Sequence, residues 1–275
     1  VKLIGFSRGN SPEIARTDGA EVWPIAEVGD FWDDPHSALE RAHSAPAHPL
    51  RRSDVIEVPP IPLSARVFCI GLNFHDHAAE GGFVVPTHPT MFGRWTASLS
   101  VDGRSVSVPR DEHGLDWEVE LAVVAGRRVH DADEDECTAA ILGYATFNDL
   151  TARRAQKLTS QWTLGKNADD SGPLGPLVTV DESGHPDKGW PMTTHVNGKL
   201  AQSGNTRDMI FGPAALLSFL SRTMTINPGD MIVTGTPAGV GYTRTPPWLL
   251  SAGDTVTVEV GDLGAVTTPV VAAAQ

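Results

Sequence analysis

Glu118 and Glu120 stand two residues apart in Leu115-Asp116-Trp117-Glu118-Val119-Glu120-Leu121. Side chains alternate along a β-strand, so this spacing aims both carboxylates at one face and Trp117, Val119 and Leu121 at the other. Two adjacent anions repel, and one tends to take up a proton unless a cation neutralises the pair. Mg²⁺, Ca²⁺ and Mn²⁺ favour oxygen ligands and answer that problem. A solvent-facing strand with two solvated glutamates fits the same residues. Downstream, Asp149 closes the apolar stretch Tyr144-Ala145-Thr146-Phe147-Asn148, where an unpaired carboxylate would be costly. It either completes a three-carboxylate set with the two glutamates or caps a turn beginning Asp149-Leu150-Thr151.

Three further stretches carry chemistry. In Asn73-Phe74-His75-Asp76-His77-Ala78-Ala79-Glu80-Gly81-Gly82, His77 and Glu80 are three apart and meet on one face of a helical turn. A carboxylate beside an imidazole fixes its tautomer and supports it as a general base, with Gly81-Gly82 as a hinge. His75 competes for the same role, and an exposed polar turn is the plain alternative. Lys166 lies in the Gly/Pro-rich loop Leu164–Pro176, which lacks the glycine spacing of a P-loop. It would set a positive charge on a substrate oxyanion, or pair at the surface with Asp169 or Asp170. The segment Met231–Gly241 reads as an apolar strand opening into a Gly-rich loop that offers backbone N–H groups and the Thr236 hydroxyl to an anion. It is not a dinucleotide fingerprint.

The elements that must position these residues are mostly strands. Short apolar runs with Gly and Pro punctuation predict strands over 66–70, 105–108, 118–125, 177–180, 193–196, 231–234 and 255–260. Near the N-terminus, Leu3–Phe6 and Glu21–Ile25 predict a hairpin around Asp18-Gly19. Helices are expected over 31–43, 135–142 and 213–220. The proline run Val58-Pro59-Pro60-Ile61-Pro62 must be extended and marks a boundary between a small N-terminal domain, residues 1–62, and a larger one, residues 63–275. Strands outnumber helices without alternating with them, which predicts an α+β, β-rich fold.

The bulk composition narrows the partners. A net charge of −13 disfavours nucleic acid and anionic membranes as partners. No apolar run is long enough to span a bilayer. The start, Val1-Lys2-Leu3-Ile4-Gly5-Phe6, reads as a strand rather than a secretory signal. Cys69 and Cys137 have no zinc-site spacing, and reduced thiols in the cytoplasm are the simple expectation.

In order and wording the motifs resemble the fumarylacetoacetate hydrolase family, on its 2-hydroxyhepta-2,4-diene-1,7-dioate isomerase-like branch. The likeness runs from Cys69-Ile70-Gly71-Leu72-Asn73-Phe74 to Gly253-Asp254-Thr255-Val256. Leu115–Leu121 is similar to the family's Asp-aromatic-Glu-x-Glu-Leu strand, and Thr151-Ala152-Arg153-Arg154-Ala155-Gln156 to its Ser-Ala-Arg-x-x-Gln segment. Val196-Asn197-Gly198, Gln202–Thr206 and Gly235–Val240 also match. The chain departs from the family pattern at Arg154, at Phe74 in place of a commoner Tyr, and at Arg94 where Lys is usual.

The resemblance implies stacked β-layers, a small N-terminal domain and a homodimer. It implies one Mg²⁺ or Mn²⁺ per subunit on Glu118, Glu120 and Asp149, and a His77–Glu80 dyad on a mobile lid. Lys166 would serve catalysis, with Gln156, Thr236, Gly235 and Arg153 around the substrate. The reaction it implies is hydrolysis of a C–C bond in a 1,3-dicarbonyl acid such as an acylpyruvate or fumarylpyruvate, within aromatic catabolism. A dienoate isomerase or a 2-oxo-diacid decarboxylase would use the same apparatus, and a metal-stabilised scaffold is the non-enzymatic alternative.

Overall fold

A computed structural model describes residues 1–8, 11–44, 48–80 and 84–273; the side chains of residues 77–79 are also outside what is described. Two sheets dominate. The larger runs in the order Leu50–Arg51, Glu21–Glu27, Pro12–Thr17, Lys2–Ser7, Leu177–Thr179, Ile141–Asn148, Val119–Ala125, Met231–Val233, Val67–Gly71, Thr90–Arg94. The smaller runs Lys199–Asn205, Pro191–Val196, Thr255–Val260, Ala265–Val271, Val106–Ser107. The β-rich α+β expectation is met.

Every residue of Val119–Ala125 is buried, because the strand is covered on both faces. Val119, Leu121 and Val123 pack with Val256, Val258 and Val260 of the smaller sheet. Ala122 and Val124 pack on the other side with Leu3, Phe31, Trp32 and Cys69. Period-two alternation therefore sorts this strand between two cores, and Glu120 falls in register with the second. Residues 1–62 contribute to that core, and Lys2–Ser7 pairs antiparallel with Leu177–Thr179.

Several expected elements differ in detail. The N-terminal hairpin is a three-stranded meander: Pro12–Thr17 lies between the two expected strands, and Asp18-Gly19 joins it to Glu21–Glu27. A register irregularity at Ile14/Ala15 buries both neighbours and breaks the alternation that would have revealed the strand. The expected helix over 31–43 is two helices, Val28–Asp33 and Pro35–Ser44. Asp34 sits between them at φ −153° and ψ 82°, as the residue before a proline is pushed out of the helical region. The helix expected at 135–142 spans Glu134–Ala140, where Asp133 closes a capping box with Glu136. The strand proper begins at Val119; Leu115 and Asp116 make isolated bridges to Leu250 and Thr151. Among the described residues no helix is long and apolar enough to cross a membrane. Cys69 and Cys137 are buried and unpaired with each other.

A buried carboxylate cluster and its cavity

Strand pairing brings the carboxylates together. Val119 faces Asn148 across the antiparallel pair, and one step beyond, Asp149 N donates to Glu118 O at 2.9 Å. The side chain of Asn148 reaches back, its Oδ1 accepting from Glu118 N at 3.1 Å. Glu118, Glu120 and Asp149 each offer an oxygen within 4.8 Å of the other two, and all three are buried. The solvated-strand reading of the glutamates is thereby overturned: Glu118 is 6% exposed and Glu120 2%.

Three cations balance part of this charge. Lys166 Nζ lies 2.6 Å from Glu118 Oε2 and 2.6 Å from Asp149 Oδ2. It is buried and pairs inward, not with the surface acids Asp169 or Asp170. Arg94 Nη2 donates to Asp149 Oδ1 at 2.6 Å. Arg153 Nε donates to Asp116 Oδ2 at 2.8 Å, and its Nη2 stands 2.7 Å from Glu118 Oε1, close in distance but without hydrogen-bond geometry. Burial opposes the charge on Lys166, yet Asp149 and Glu118 outweigh it and hold the ammonium above its ordinary pKa.

Glu120 is the exception. It accepts from Gly235 N at 2.6 Å and forms no ion pair among the described residues. Burial, followed by the charges of Asp149 and Glu118, pushes its carboxyl well above the usual range. The cluster thus holds Asp116, Glu118, Glu120 and Asp149 against Arg94, Arg153 and Lys166, one carboxylate more than its cations. The donor set is all oxygen and compact. An octahedral Mg²⁺ or Mn²⁺ with bonds of about 2.0–2.2 Å would draw these oxygens closer together. The residues present fit a hard divalent cation, and Glu120, which lacks an ion-pair partner among the described residues, is among the candidate ligands.

Glu118 and Glu120 open onto a cavity of about 310 Å³ whose lining includes Arg153, Gln156, Lys166, Thr236 and Tyr242. Phe92 and Trp162 form an apolar wall, edge to face at 5.7 Å. Gly71 permits that wall, since a Cβ there would come within 2.3 Å of the Trp162 ring. Gly235, at φ +92°, turns the chain so that its N–H reaches Glu120, and a side chain there would meet Ile70 O at 2.8 Å.

The remaining candidates divide. Gln156 accepts from Arg153 Nη1 at 3.0 Å and Thr236 accepts from Gln202 Nε2 at 2.9 Å. Both line the cavity. Glu80 is exposed and accepts from Gly239 N at 3.2 Å and Thr243 Oγ1 at 2.9 Å, tying the helix His75–Glu80 to the loop that carries Thr236. The His77 side chain and Gly81-Gly82 lie outside the described residues. His75 is exposed and borders a separate cavity with Arg207 and Pro237. Asp149 is a ligand candidate directly after the strand Ile141–Asn148, and the turn-cap reading covers only its main chain, where Thr151 Oγ1 donates to Asp149 O at 2.8 Å.

Four neighbours had no assigned role in the sequence. Asp116 accepts from Arg153 Nε, Gly241 N and Tyr242 N, joining the glutamate strand to the Thr236 loop. Gln202 orients Thr236, Arg94 braces Asp149, and Tyr242 faces Arg153. The one available signal was position: Asp116 opens the glutamate motif, and Gln202 stands in the matching Gln202–Thr206 stretch. Of the departures, Arg154 is exposed and bonds Asp111 O at 2.7 Å, while Phe74 is core.

Residues 66–271 match the model of the fumarylacetoacetate (FAA) hydrolase C-terminal domain. The mitochondrial oxaloacetate tautomerase fahd2 of Xenopus laevis is 35% identical over 289 residues, covering 98% of this chain and 90% of that one. The structure of 5-carboxymethyl-2-hydroxymuconate delta-isomerase from Mycobacterium smegmatis superposes with a TM-score of 0.79 at 29% identity, covering 100% of both chains. That of fumarylpyruvate hydrolase from Pseudomonas aeruginosa, in complex with Mn²⁺ and pyruvate, gives 0.70 at 28% identity, covering 78% of this chain and 91% of that one. With three quarters of its length matched by the family model, the chain belongs to the fumarylacetoacetate hydrolase family.

Proposed function

We propose that this chain is a divalent-metal-dependent hydrolase that cleaves a C–C bond in a 2,4-dioxo acid of the acylpyruvate or fumarylpyruvate type. The observation that carries this reading is the convergence of the buried carboxylates Glu118, Glu120 and Asp149, two of which, Glu118 and Glu120, line a cavity together with Lys166. The relative solved with Mn²⁺ and pyruvate supports a 2-oxo acid as the group recognised there. A bound Mg²⁺ or Mn²⁺ on the three carboxylates would supply Lewis-acid stabilisation of negative charge at the 2-oxo acid end.

The chain's own residues do the rest. Lys166 holds an ammonium at the cavity floor, placed to steady a tetrahedral oxyanion. Thr236 already accepts from Gln202, so its O–H is free to donate into the cavity. Gln156 spends its Oε1 on Arg153, which leaves its amide N–H₂ for a ligand oxygen. His77 is the proposed base that takes a proton from the attacking water, and general-base help is typically worth roughly 10²–10⁴ in rate. Glu80 joins the helix bearing His77 to the loop that carries Thr236.

The tautomerase relative, matched over 98% of this chain, supports a second reading in which protons are relocated on a 2-oxo acid and no C–C bond is cut. Proton NMR of products from acylpyruvates, oxaloacetate and dienoates separates the two. Hydrolysis yields two smaller acids; tautomerase or isomerase action exchanges or moves protons on an intact carbon skeleton. Absence of cleavage across the acylpyruvates would overturn the hydrolase reading.

A further inference from the structure

Two kinds of surface meet in the cavity. Glu118, Glu120 and Lys166 make one part charged, and a separate wall is apolar. Phe92 faces Cys69 across the antiparallel pair Val67–Gly71 and Thr90–Arg94, and Gly71, two residues beyond Cys69, shares that face. The Trp162 ring takes the space that a side chain at Gly71 would fill, edge to face with Phe92. Phe92 begins the wall beside the charged groups, since Lys166 Nζ lies 5.3 Å from the centre of its ring. Trp162 opens the 3₁₀ helix that Lys166 closes, and at about 2.0 Å of rise per residue the two stand roughly 8 Å apart along its axis. Both rings are only half-buried and keep apolar surface open to a ligand. Leu72, also in the lining, is held at φ +58°, a conformation that a bulky side chain seldom adopts and that clusters at ligand sites.

We propose that the Phe92–Trp162 wall seats an aryl group, so that the preferred substrate is a 4-aryl-2,4-dioxo acid, an aroylpyruvate. This rests on the reading that the 2-oxo acid end lies over Glu118 and Glu120. The tail of such an acid is flat and stiff because its ring is conjugated with the 4-oxo group, so little conformational freedom is lost when it lies against two rings. Phe92, Trp162 and Leu72 carry no charge, and a tail ending in a carboxylate would lose hydration there without gaining a partner. Seating a phenyl ring in place of a methyl group corresponds to about tenfold in affinity.

The test uses the full chain loaded with Mn²⁺ and isothermal titration with 2-oxo-4-phenylbutanoate, 2-oxopentanoate and 2-oxohexanedioate. All three lack the 4-oxo group that hydrolysis attacks, so they report binding alone. The parent is expected to bind the phenyl acid about tenfold more tightly than either of the others. Trp162→Ala should bring the phenyl acid and 2-oxopentanoate to within about twofold of each other. Gly71→Ala, whose Cβ crowds the Trp162 ring without removing it, should do the same, and it decides the matter if Trp162→Ala does not fold. A parent that binds the phenyl acid no better than the others, or a preference that survives in folded Trp162→Ala, overturns the proposal. Turnover of benzoylpyruvate on the same preparations separates this from the hydrolase reading. Cleavage without aryl preference overturns the wall assignment alone, whereas aryl preference without cleavage overturns the hydrolase reading alone.

Discussion

Gln202 donates from Nε2 to Thr236 Oγ1 at 2.9 Å while its Oε1 accepts from Val119 N at 3.1 Å, the residue between the two glutamates. Gln202 comes from the smaller sheet, so one amide ties that sheet to both the glutamate strand and the loop over the cavity. Gln202→Ala leaves buried donors and acceptors on Val119, Thr194 and Pro237 unmet. At roughly 1–3 kcal/mol for an unsatisfied buried group, the expected loss is about 2–4 kcal/mol in urea denaturation. The misplaced Thr236 should lower kcat/KM about tenfold at temperatures where the variant stays folded. An unchanged kcat/KM would remove Thr236 from the substrate contacts.

Asp116 makes a comparable junction in the other direction. Its oxygens accept from Arg153, Gly241 and Tyr242, and it is fully buried. Asp116→Asn strips the countercharge from a buried guanidinium, for an expected loss of about 3–5 kcal/mol. Thermal unfolding should show it as a clear fall in Tm, and a change of a degree or less would contradict the assignment of Arg153 to this pair.

Lys166 bridges Glu118 and Asp149 at 2.6 Å to each, a place in which its ammonium already serves as a countercharge. Lys166→Met should therefore destabilise the metal-free protein by about 3–5 kcal/mol. With saturating Mn²⁺ the loss should shrink, because the carboxylates then have another cation. Equal losses with and without Mn²⁺ would show that the ion does not share these ligands.

Glu120 sets a pH dependence. Its carboxyl is pushed above the ordinary 4.5 by burial and then by Asp149 and Glu118. A raised folded pKa means that the folded chain keeps a proton which the unfolded chain has already lost. The stability this confers is full below about pH 4.5 and is lost as pH rises through the folded value. A metal that takes Glu120 as ligand must expel that proton. Mn²⁺ titrations in buffers of different ionisation enthalpy should show proton release that grows as pH falls toward the range where Glu120 keeps its proton, and Glu120→Gln should abolish that growth. Binding without proton release in the parent would contradict the shift.

Much of the site was legible because its carboxylates sit on or directly beside regular strands: Glu120 lies on Val119–Ala125, Glu118 just precedes it, and Asp149 just follows Ile141–Asn148. The Glu118-x-Glu120 spacing holds its face wherever the strand is, and Asp149 is read from the strand that pairs with it. What the chain concealed depends on distant partners. Arg94 meets Asp149 across 55 residues, and nothing local in Thr90–Arg94 distinguishes an arginine aimed inward. Pro12–Thr17 escaped because two adjacent residues, Ile14 and Ala15, are both buried. Lys166 was read as a choice between oxyanion contact and surface pairing, and its actual partners became visible only once the sheet had closed around it.

The central claim is that this chain uses a divalent cation on Glu118, Glu120 and Asp149 to cleave a 2,4-dioxo acid. Its most direct test is proton NMR of an acylpyruvate incubated with the purified chain, before and after exhaustive chelation and after Mn²⁺ is returned. The account predicts conversion to two acids, loss of conversion on chelation, and recovery with Mn²⁺ in the parent but not in Glu118→Gln. Conversion that continues unchanged in the chelated protein would contradict it.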